Sequence, residues 1–283
     1  MKIAVTSASG QLGKAIVQSL KVVAGKENIV AIARTPENAK SLGVEVRSGD
    51  YNHKEDFDEA LKGIDTLLLV SGNGEPEKRK QQHANVIEAA KSAGVSKIVY
   101  TSIIGPLEES DFSVVVKSNR HTEDYLKNSG LDWVIGRNGL YLEPDLEYID
   151  QYKKDGKISN CAGHGRCAYT TRTELAFAYA KMLTEEKHNG EIYNLSGNPI
   201  TQYELAELIN DVYGTKLTYE PLSVQAYREE RINELGEFMG TIISGIYEGI
   251  KNGGMNVNSD YYKASGREHI SIIEAIRNYH ASN

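Results

Sequence analysis

Lys2-Ile3-Ala4-Val5-Thr6-Ser7-Ala8-Ser9-Gly10-Gln11-Leu12-Gly13-Lys14 stands at the head of this 283-residue chain, and its reading decides the fold. An apolar run with strand character passes through a turn of small residues into an amphipathic helix predicted over residues 11–23. In such a turn Gly10 lets the backbone approach a pyrophosphate, while the helix start offers free amides and a positive dipole end. Gly13 lets the helix pack closely on the strand. The structural alternative is a tight strand-to-helix turn that holds no ligand. Ser7 stands where the dinucleotide fingerprint has its first glycine. If that position needs a positive φ, a serine is strained there, although its hydroxyl adds a polar contact.

Working outward, short apolar runs alternate with helix-length segments, the pattern of a parallel sheet covered on both faces. Strands are predicted at residues 2–6, 28–33, 44–47, 65–70, 97–101, 131–136 and 191–195. The runs at Ile29–Ala33 and Thr66–Val70 are continuously apolar or nearly so, as strands buried on both faces should be. Helices are predicted near 11–23, 36–42, 54–62, 77–93, 116–129 and 172–184. Thr35-Pro36 reads as a capped helix start, and Thr171 with Glu174 and Thr201 with Glu204 each fit a capping box. The fold class is therefore α/β, a Rossmann doubly wound parallel sheet with a smaller, mostly helical C-terminal substrate lobe. We assign residues 1–137 and 170–197 to the NAD(P)-binding part. Residues 138–169 and 198–283, with a short strand near 216–220, form the smaller lobe.

The second strand ends in Ala33-Arg34-Thr35, with Arg34 21 residues beyond Gly13. NAD-specific proteins carry an acid near this point for the ribose hydroxyls, whereas an arginine suits the 2′-phosphate of NADP(H). The plain alternative is a solvated arginine opening the next helix.

Composition bounds the function. Hydrophobic residues make up 40% and charged residues 25%, ordinary for a globular enzyme. A net charge of −7 argues against nucleic acid or an anionic membrane as the partner. No apolar stretch reaches bilayer length. Lys2–Thr6 reads as a strand rather than a signal peptide, and two cysteines make no disulfide framework, so the expected location is cytoplasmic.

Further stretches carry a family resemblance. They are the glycine loop with Gln11-Leu12-Gly13, Ile32-Ala33-Arg34, and Gly43 to Arg47 leading to Gly49-Asp50-Tyr51. Gln82-His83-Ala84-Asn85-Val86, Ala93-Gly94-Val95 and Tyr100-Thr101-Ser102 continue the series. Arg137-Asn138-Gly139 with Tyr141, Thr171-Arg172 with Glu174-Leu175, and Tyr193-Asn194-Leu195 complete it. In this order the chain resembles the NmrA-like, atypical short-chain dehydrogenase/reductase family, most of all its bacterial NAD(P)H:quinone oxidoreductase and triphenylmethane reductase members, over nearly its whole length. The resemblance implies an NADPH-dependent reductase of quinones or similar conjugated electrophiles. It implies that the stretch from Ser7 to Leu12, with Ser9, Gly10 and Gln11, holds the phosphates together with Arg34, that Thr6 also belongs to the cofactor site, and that Ser71 and Gly72 pass near the cofactor. Thr101, Ser102, Arg137, Asn138 and Arg172 would line the nicotinamide end or the pocket beside it, and Asn138 and Tyr141 would meet the substrate.

The proton donor is the open question. The only Tyr-x-x-x-Lys, Tyr247 with Lys251, falls far past the sixth strand and reads as a coincidence on one exposed helix face. Lys117, His121, Glu123 and Tyr125 lie between strands five and six, and Ser102 directly follows strand five. Lys117, His121 and Ser102 are the candidates, although polar residues on an amphipathic helix are the plainer reading of the first two. A quinone relaxes the need, because hydride addition leaves a stabilised anion that water can protonate. Cys161-Ala162-Gly163-His164-Gly165-Arg166-Cys167 lacks an obvious fourth ligand, so no metal is expected, and the segment reads as a flexible loop able to cover the substrate. His83 either supports its helix or touches the cofactor. Tyr141, Tyr148 and Tyr152 could stack on a planar substrate. Two functions follow: an NADPH-dependent reductase, or a non-catalytic NADP(H)-binding redox sensor of the NmrA kind. The oligomeric state is not fixed by the sequence, which admits a homodimer.

Overall fold

The computed structural model describes residues 1–282. Its strands are β1 (Ile3–Val5), β2 (Ile29–Ala33), β3 (Glu45–Ser48), β4 (Thr66–Val70), β5 (Lys97–Ile103), β6 (Asp132–Asn138), β7 (Leu140–Tyr141), β8 (Lys157–Asn160), β9 (Arg166–Cys167), β10 (Tyr169–Thr170), β11 (Ile192–Leu195), β12 (Ile200–Thr201) and β13 (Thr218–Pro221). Helices α1 (Gln11–Val23), α2 (Lys54–Ala60), α3 (Pro76–Ala93) and α4 (Ser113–Lys127) alternate with the first six strands. Then come α5 (Glu143–Glu147), α6 (Ile149–Asp155), α7 (Arg172–Thr184), α8 (Gln202–Tyr213), α9 (Val224–Leu235), α10 (Glu237–Lys251), α11 (Tyr261–Ser265) and α12 (Ile272–Ser282).

All seven predicted strands join one parallel sheet in the order β11-β6-β5-β4-β1-β2-β3. Every residue of β2 and β4 is buried, which explains their apolar composition. One face packs α1, α7 and α11 through Ile16, Leu20, Tyr179 and Tyr261; the other packs α2 and α3 through Phe57, Val86 and Ile87. The strand order reverses between β1 and β4, so the loops leaving their C-terminal ends diverge and open a crevice.

A second apolar core holds Leu142, Ile158, Tyr169, Leu205, Ile250 and Ile276 together with Ile104, Phe112 and Val116 from the β5–α4 region. The smaller lobe thus borrows side chains from the sheet half. Conversely, α11 packs on α7 and β11 and belongs to the sheet-side core, although residues 198–283 read as lobe in the sequence. Three two-stranded pieces, β7–β10, β9–β12 and β8–β13, brace the lobe.

Local signals resolve in detail. Thr201 and Glu204 form a complete capping box at α8. Thr171 accepts from the Glu174 amide, but the Glu174 carboxylate turns away to Arg267 and the Ile270 amide, so half the predicted box is absent. Thr35 caps nothing, and residues 36–42 form a 3₁₀ helix rather than an α-helix. The Cys161–Cys167 segment is not a loose cover either. Both cysteines are buried, and a Cβ on Gly165 would lie 2.2 Å from the Ile250 carbonyl oxygen, so α10 packs directly against it. His164 stacks on Tyr203 at 5.0 Å. Among the described residues no helix is long and apolar enough to cross a membrane.

Candidate active site

The crevice contains a cleft of about 590 Å³. The loop after β1 forms one wall. Ser7 adopts φ 49°, the left-handed conformation that the missing glycine would have taken freely. A Cβ on Gly13 would lie 2.4 Å from the Ser7 carbonyl oxygen, so only glycine permits this approach of helix to turn. The Gly10 amide donates to Ser7, and the first helical bond runs from Lys14 to Gly10. The amides of Gln11, Leu12 and Gly13 therefore have no acceptor among the described residues, and α1 carries no acid in its first turn. Three free amides at a positive helix end fit a pyrophosphate.

Tyr51 locks this loop to the sheet. Its hydroxyl lies 2.7 Å from the Val70 carbonyl and 2.6 Å from the Thr6 hydroxyl, and it accepts from the Ser7 hydroxyl at 3.1 Å. Burial pushes the Tyr51 pKa up to about 12, so the hydroxyl stays neutral. Thr6 is buried behind the cleft, donating to Leu68 and accepting from the Val70 amide.

The loop after β4 forms the opposite wall. His83 on α3 is fully buried; its Nε2 accepts from the Gly72 amide at 3.2 Å, which leaves Nδ1–H for the Thr122 hydroxyl at 2.9 Å. Burial, then the Arg79 charge, lower its pKa to about 3, so the ring is neutral and able to accept. His83 thus holds the Ser71–Gly72 turn rather than serving its own helix alone. Thr101 Oγ1 accepts from the Ser71 amide, and Asn119 accepts from Ser71 and Tyr100.

At the ends of β5 and β6, alternation separates neighbours. Asn138 faces the cleft, its Oδ1 accepting from Tyr179 at 2.6 Å and its Nδ2 donating to the Tyr141 hydroxyl at 3.1 Å. Arg137 points the other way and does not line the cleft, contrary to the resemblance-based expectation. It pairs with Glu123 at 2.6 Å beneath the floor. Glu123, 1% exposed, also pairs with Arg120 at 2.6 Å and accepts from the Ser102 hydroxyl at 2.5 Å. Burial alone would raise its pKa, but the Arg137 hydrogen bonds, the Arg120 charge and Ser102 outweigh that and hold it below the usual value. Ser102 is in this way fixed from below while its residue lines the cleft.

Of the residues singled out in the sequence, Ser7, Gly10, Gln11, Leu12, Ser71, Gly72, Thr101, Ser102, Asn138, Tyr141 and Arg172 come together on this cleft. Thr6, Ser9 and Arg34 lie outside its lining; Arg34 is exposed just past the end of β2 and makes no ion pair among the described residues. Lys117 is exposed and pairs with Glu108 at 2.9 Å, and His121 sits on the outer face of α4 beside Glu88 and Asp124, so neither reaches the cleft. Tyr148 and Tyr152 pack against each other within the lobe, away from the cleft. Tyr247 is not on an exposed face: it is part-buried against Tyr227 and reaches toward Asp145. The sequence reading missed Arg79, Asn119 and the apolar wall of Ile103, Ile104, Val115, Leu140 and Met255. Among the described residues no group of three or more metal-ligating side chains is assembled.

Fold and site together define a dinucleotide-binding Rossmann protein. A family model described as NAD(P)H-binding matches residues 7–186. Quinone oxidoreductase 2 of Escherichia coli is 37% identical over 78% of this chain and 78% of its own. An NmrA-like family domain-containing oxidoreductase of Aspergillus flavus is 29% identical over 98% of this chain and 94% of its own. The structure of Citrobacter sp. triphenylmethane reductase complexed with NADP(H) superposes with a TM-score of 0.91 at 35% identity, covering 98% of this chain and 99% of that one. The chain belongs to the NAD(P)H-binding, NmrA-like family, and it is a reductase of that family.

Proposed function

We propose that the protein uses NADPH to reduce quinones or similarly conjugated, planar electrophiles. The observation that carries the reading is the lining of the cleft, where the apolar Ile103, Ile104, Val115, Leu140 and Met255 occur together with the polar Thr101, Ser102, Asn138 and Tyr141. An apolar slot with a few fixed polar groups suits a flat conjugated ring. Names of relatives point the same way: one is a quinone oxidoreductase, another a reductase of triphenylmethane dyes.

Bound NADPH would supply the hydride. The protein's own part is placement. The amides of Gln11, Leu12 and Gly13 would take the pyrophosphate, and exposed Arg34 would take the 2′-phosphate in preference to a plain ribose. Ser71, Thr101 and Asn119 would hold the ribose side, and Asn138, pinned by Tyr179, would orient the reacting face. No lysine lines the cleft among the described residues, so the usual Tyr–Lys proton donor has no counterpart there. A quinone tolerates this, because its reduced anion is stabilised and takes a proton from water. We assign residues 138–169 and 198–283 the role of shaping the acceptor slot, and place the protein in the cytoplasm, where its two free cysteines stay reduced.

Oxidation of NADPH by purified protein across a panel of quinones, with enzyme-free controls, tests the reading. Acceleration with several quinones supports it. Tight NADPH binding with no acceleration for any quinone of the panel would overturn it.

A further inference from the structure

Arg79 is the anomaly of the cleft. It sits in the first turns of α3, is 6% exposed, and lines the cavity together with Ser71, Asn73 and Asn119. Its Nη2 donates to the Gly74 carbonyl at 2.9 Å, while the buried Nε has no partner among the described residues. Among the described residues it forms no ion pair. The acids nearest in sequence, Glu75 and Glu77, pair instead with Lys78 and Lys80. Burial lowers its pKa, the mark of a charge that lacks compensation.

The charge pattern around it is one-sided. The chain carries a net charge of −7, yet among the described residues the only charged ones lining the cleft are Arg79 and Arg172. Arg172 is accounted for, paired with Glu147 at 3.3 Å and lying over the Tyr141 ring. In the placement proposed above, the phosphates of a dinucleotide go to the α1 amides and Arg34. What lies beyond them in a dinucleotide, a ribose and a nicotinamide ring, carries no negative charge. A buried, unpaired guanidinium is costly unless an anion joins it, and its planar fork suits a carboxylate, sulfonate or ionised hydroxyl.

We propose that Arg79 selects acceptors bearing a negative charge, so that the substrate class is an anionic planar electrophile, such as a quinone with an acidic substituent. This rests on the reductase reading for the word acceptor and on the proposed placement of the cofactor phosphates at the α1 amides and Arg34; the sulfonate titration below tests Arg79 separately from turnover.

Protein saturated with NADP⁺ is titrated with 2-naphthalenesulfonate and with the uncharged 2-naphthalenesulfonamide, neither of which can accept hydride. The sulfonate should bind at least tenfold more tightly. Equal affinities in the unmodified protein would overturn the proposal without any variant. Arg79→Met should remove at least tenfold of the sulfonate affinity and Arg79→Lys should restore part of it, with NADPH affinity moving by no more than about twofold. A loss confined to NADPH would make Arg79 a cofactor ligand and also overturn the proposal. Turnover completes the test: the ratio of kcat/KM for 1,4-naphthoquinone-2-sulfonate to that for 1,4-naphthoquinone should fall at least tenfold in Arg79→Met. If neither quinone is reduced by the unmodified protein, the quinone reading fails, while the sulfonate titration still decides the role of Arg79.

Discussion

Replacing Glu123 by Gln tests how the floor of the cleft is held. The carboxylate sits between Arg120 and Arg137, each 2.6 Å away, and receives the Ser102 hydroxyl at 2.5 Å. Gln keeps the shape but leaves two guanidinium groups facing a neutral amide. Removing one partner of a fully buried pair costs about 3–5 kcal/mol. The Arg120 and Arg137 side chains retain 20% and 27% exposure, so water reaches them in part. That lowers the expected loss to roughly 2–3 kcal/mol, or a Tm drop on the order of 5–10 °C for a chain of this size. The effect has a pH signature. Because the folded-state pKa of Glu123 lies below its usual value, its stabilisation is full above the ordinary carboxylate range and is lost as pH falls through the folded value. Thermal unfolding of both proteins, at neutral pH and in acid, reads this directly. The Tm gap should be wide at neutral pH and narrow in acid. A gap below about 1 °C at neutral pH, against the roughly 2 kcal/mol expected, would refute the view that this ion cluster holds the floor.

Other changes probe the cofactor loop and the lobe. Arg34→Ala should erase most of the preference for NADPH over NADH: a charge-assisted bond of about 1.5–3 kcal/mol, reduced by exposure to roughly 1–2, corresponds to about 5- to 30-fold in dissociation constant. Equal dissociation constants for the two cofactors in the unmodified protein would sink this. Ser7→Gly relieves a left-handed serine, worth roughly 1–2 kcal/mol, and gives up a hydrogen bond to Tyr51 worth about 1 kcal/mol, so NADPH binding should tighten or stay level. A clear loss of affinity, measured by titration, would show that the hydroxyl is needed. Tyr247→Phe should keep quinone reductase activity within a few-fold, since Tyr247 does not line the cleft. A thousandfold fall in kcat with NADPH binding intact, about 4 kcal/mol of transition-state stabilisation, would give Tyr247 the proton-donor role that the geometry denies it.

The sheet was legible because its strands are short, apolar and separated by amphipathic helices, so burial alone writes the pattern. The glycine turn was legible for the same reason: close approach at Gly13 admits no other residue. Long-range partners left no such trace. Tyr51 gives no local sign that its hydroxyl will bridge Thr6, Ser7 and Val70, and Glu123 looks like one more polar residue on a helix until Arg120 and Arg137 close around it. Strand alternation could have separated Asn138 from Arg137, since adjacent residues of β6 face opposite sides. Half of the Thr171 capping box failed because Arg267, 93 residues on, outcompetes the local amide for Glu174. Lys117 and His121 stand out by residue type and by their place between strands five and six, but α4 turns both outward.

The most direct test of the central claim is a single turnover. Protein loaded with one equivalent of NADPH is mixed rapidly with excess 1,4-naphthoquinone, and cofactor oxidation is followed beside an enzyme-free control. The account predicts oxidation of all bound NADPH, one hydroquinone formed per cofactor, at a rate far above the control. Bound NADPH that outlasts free NADPH in the presence of the quinone would contradict it.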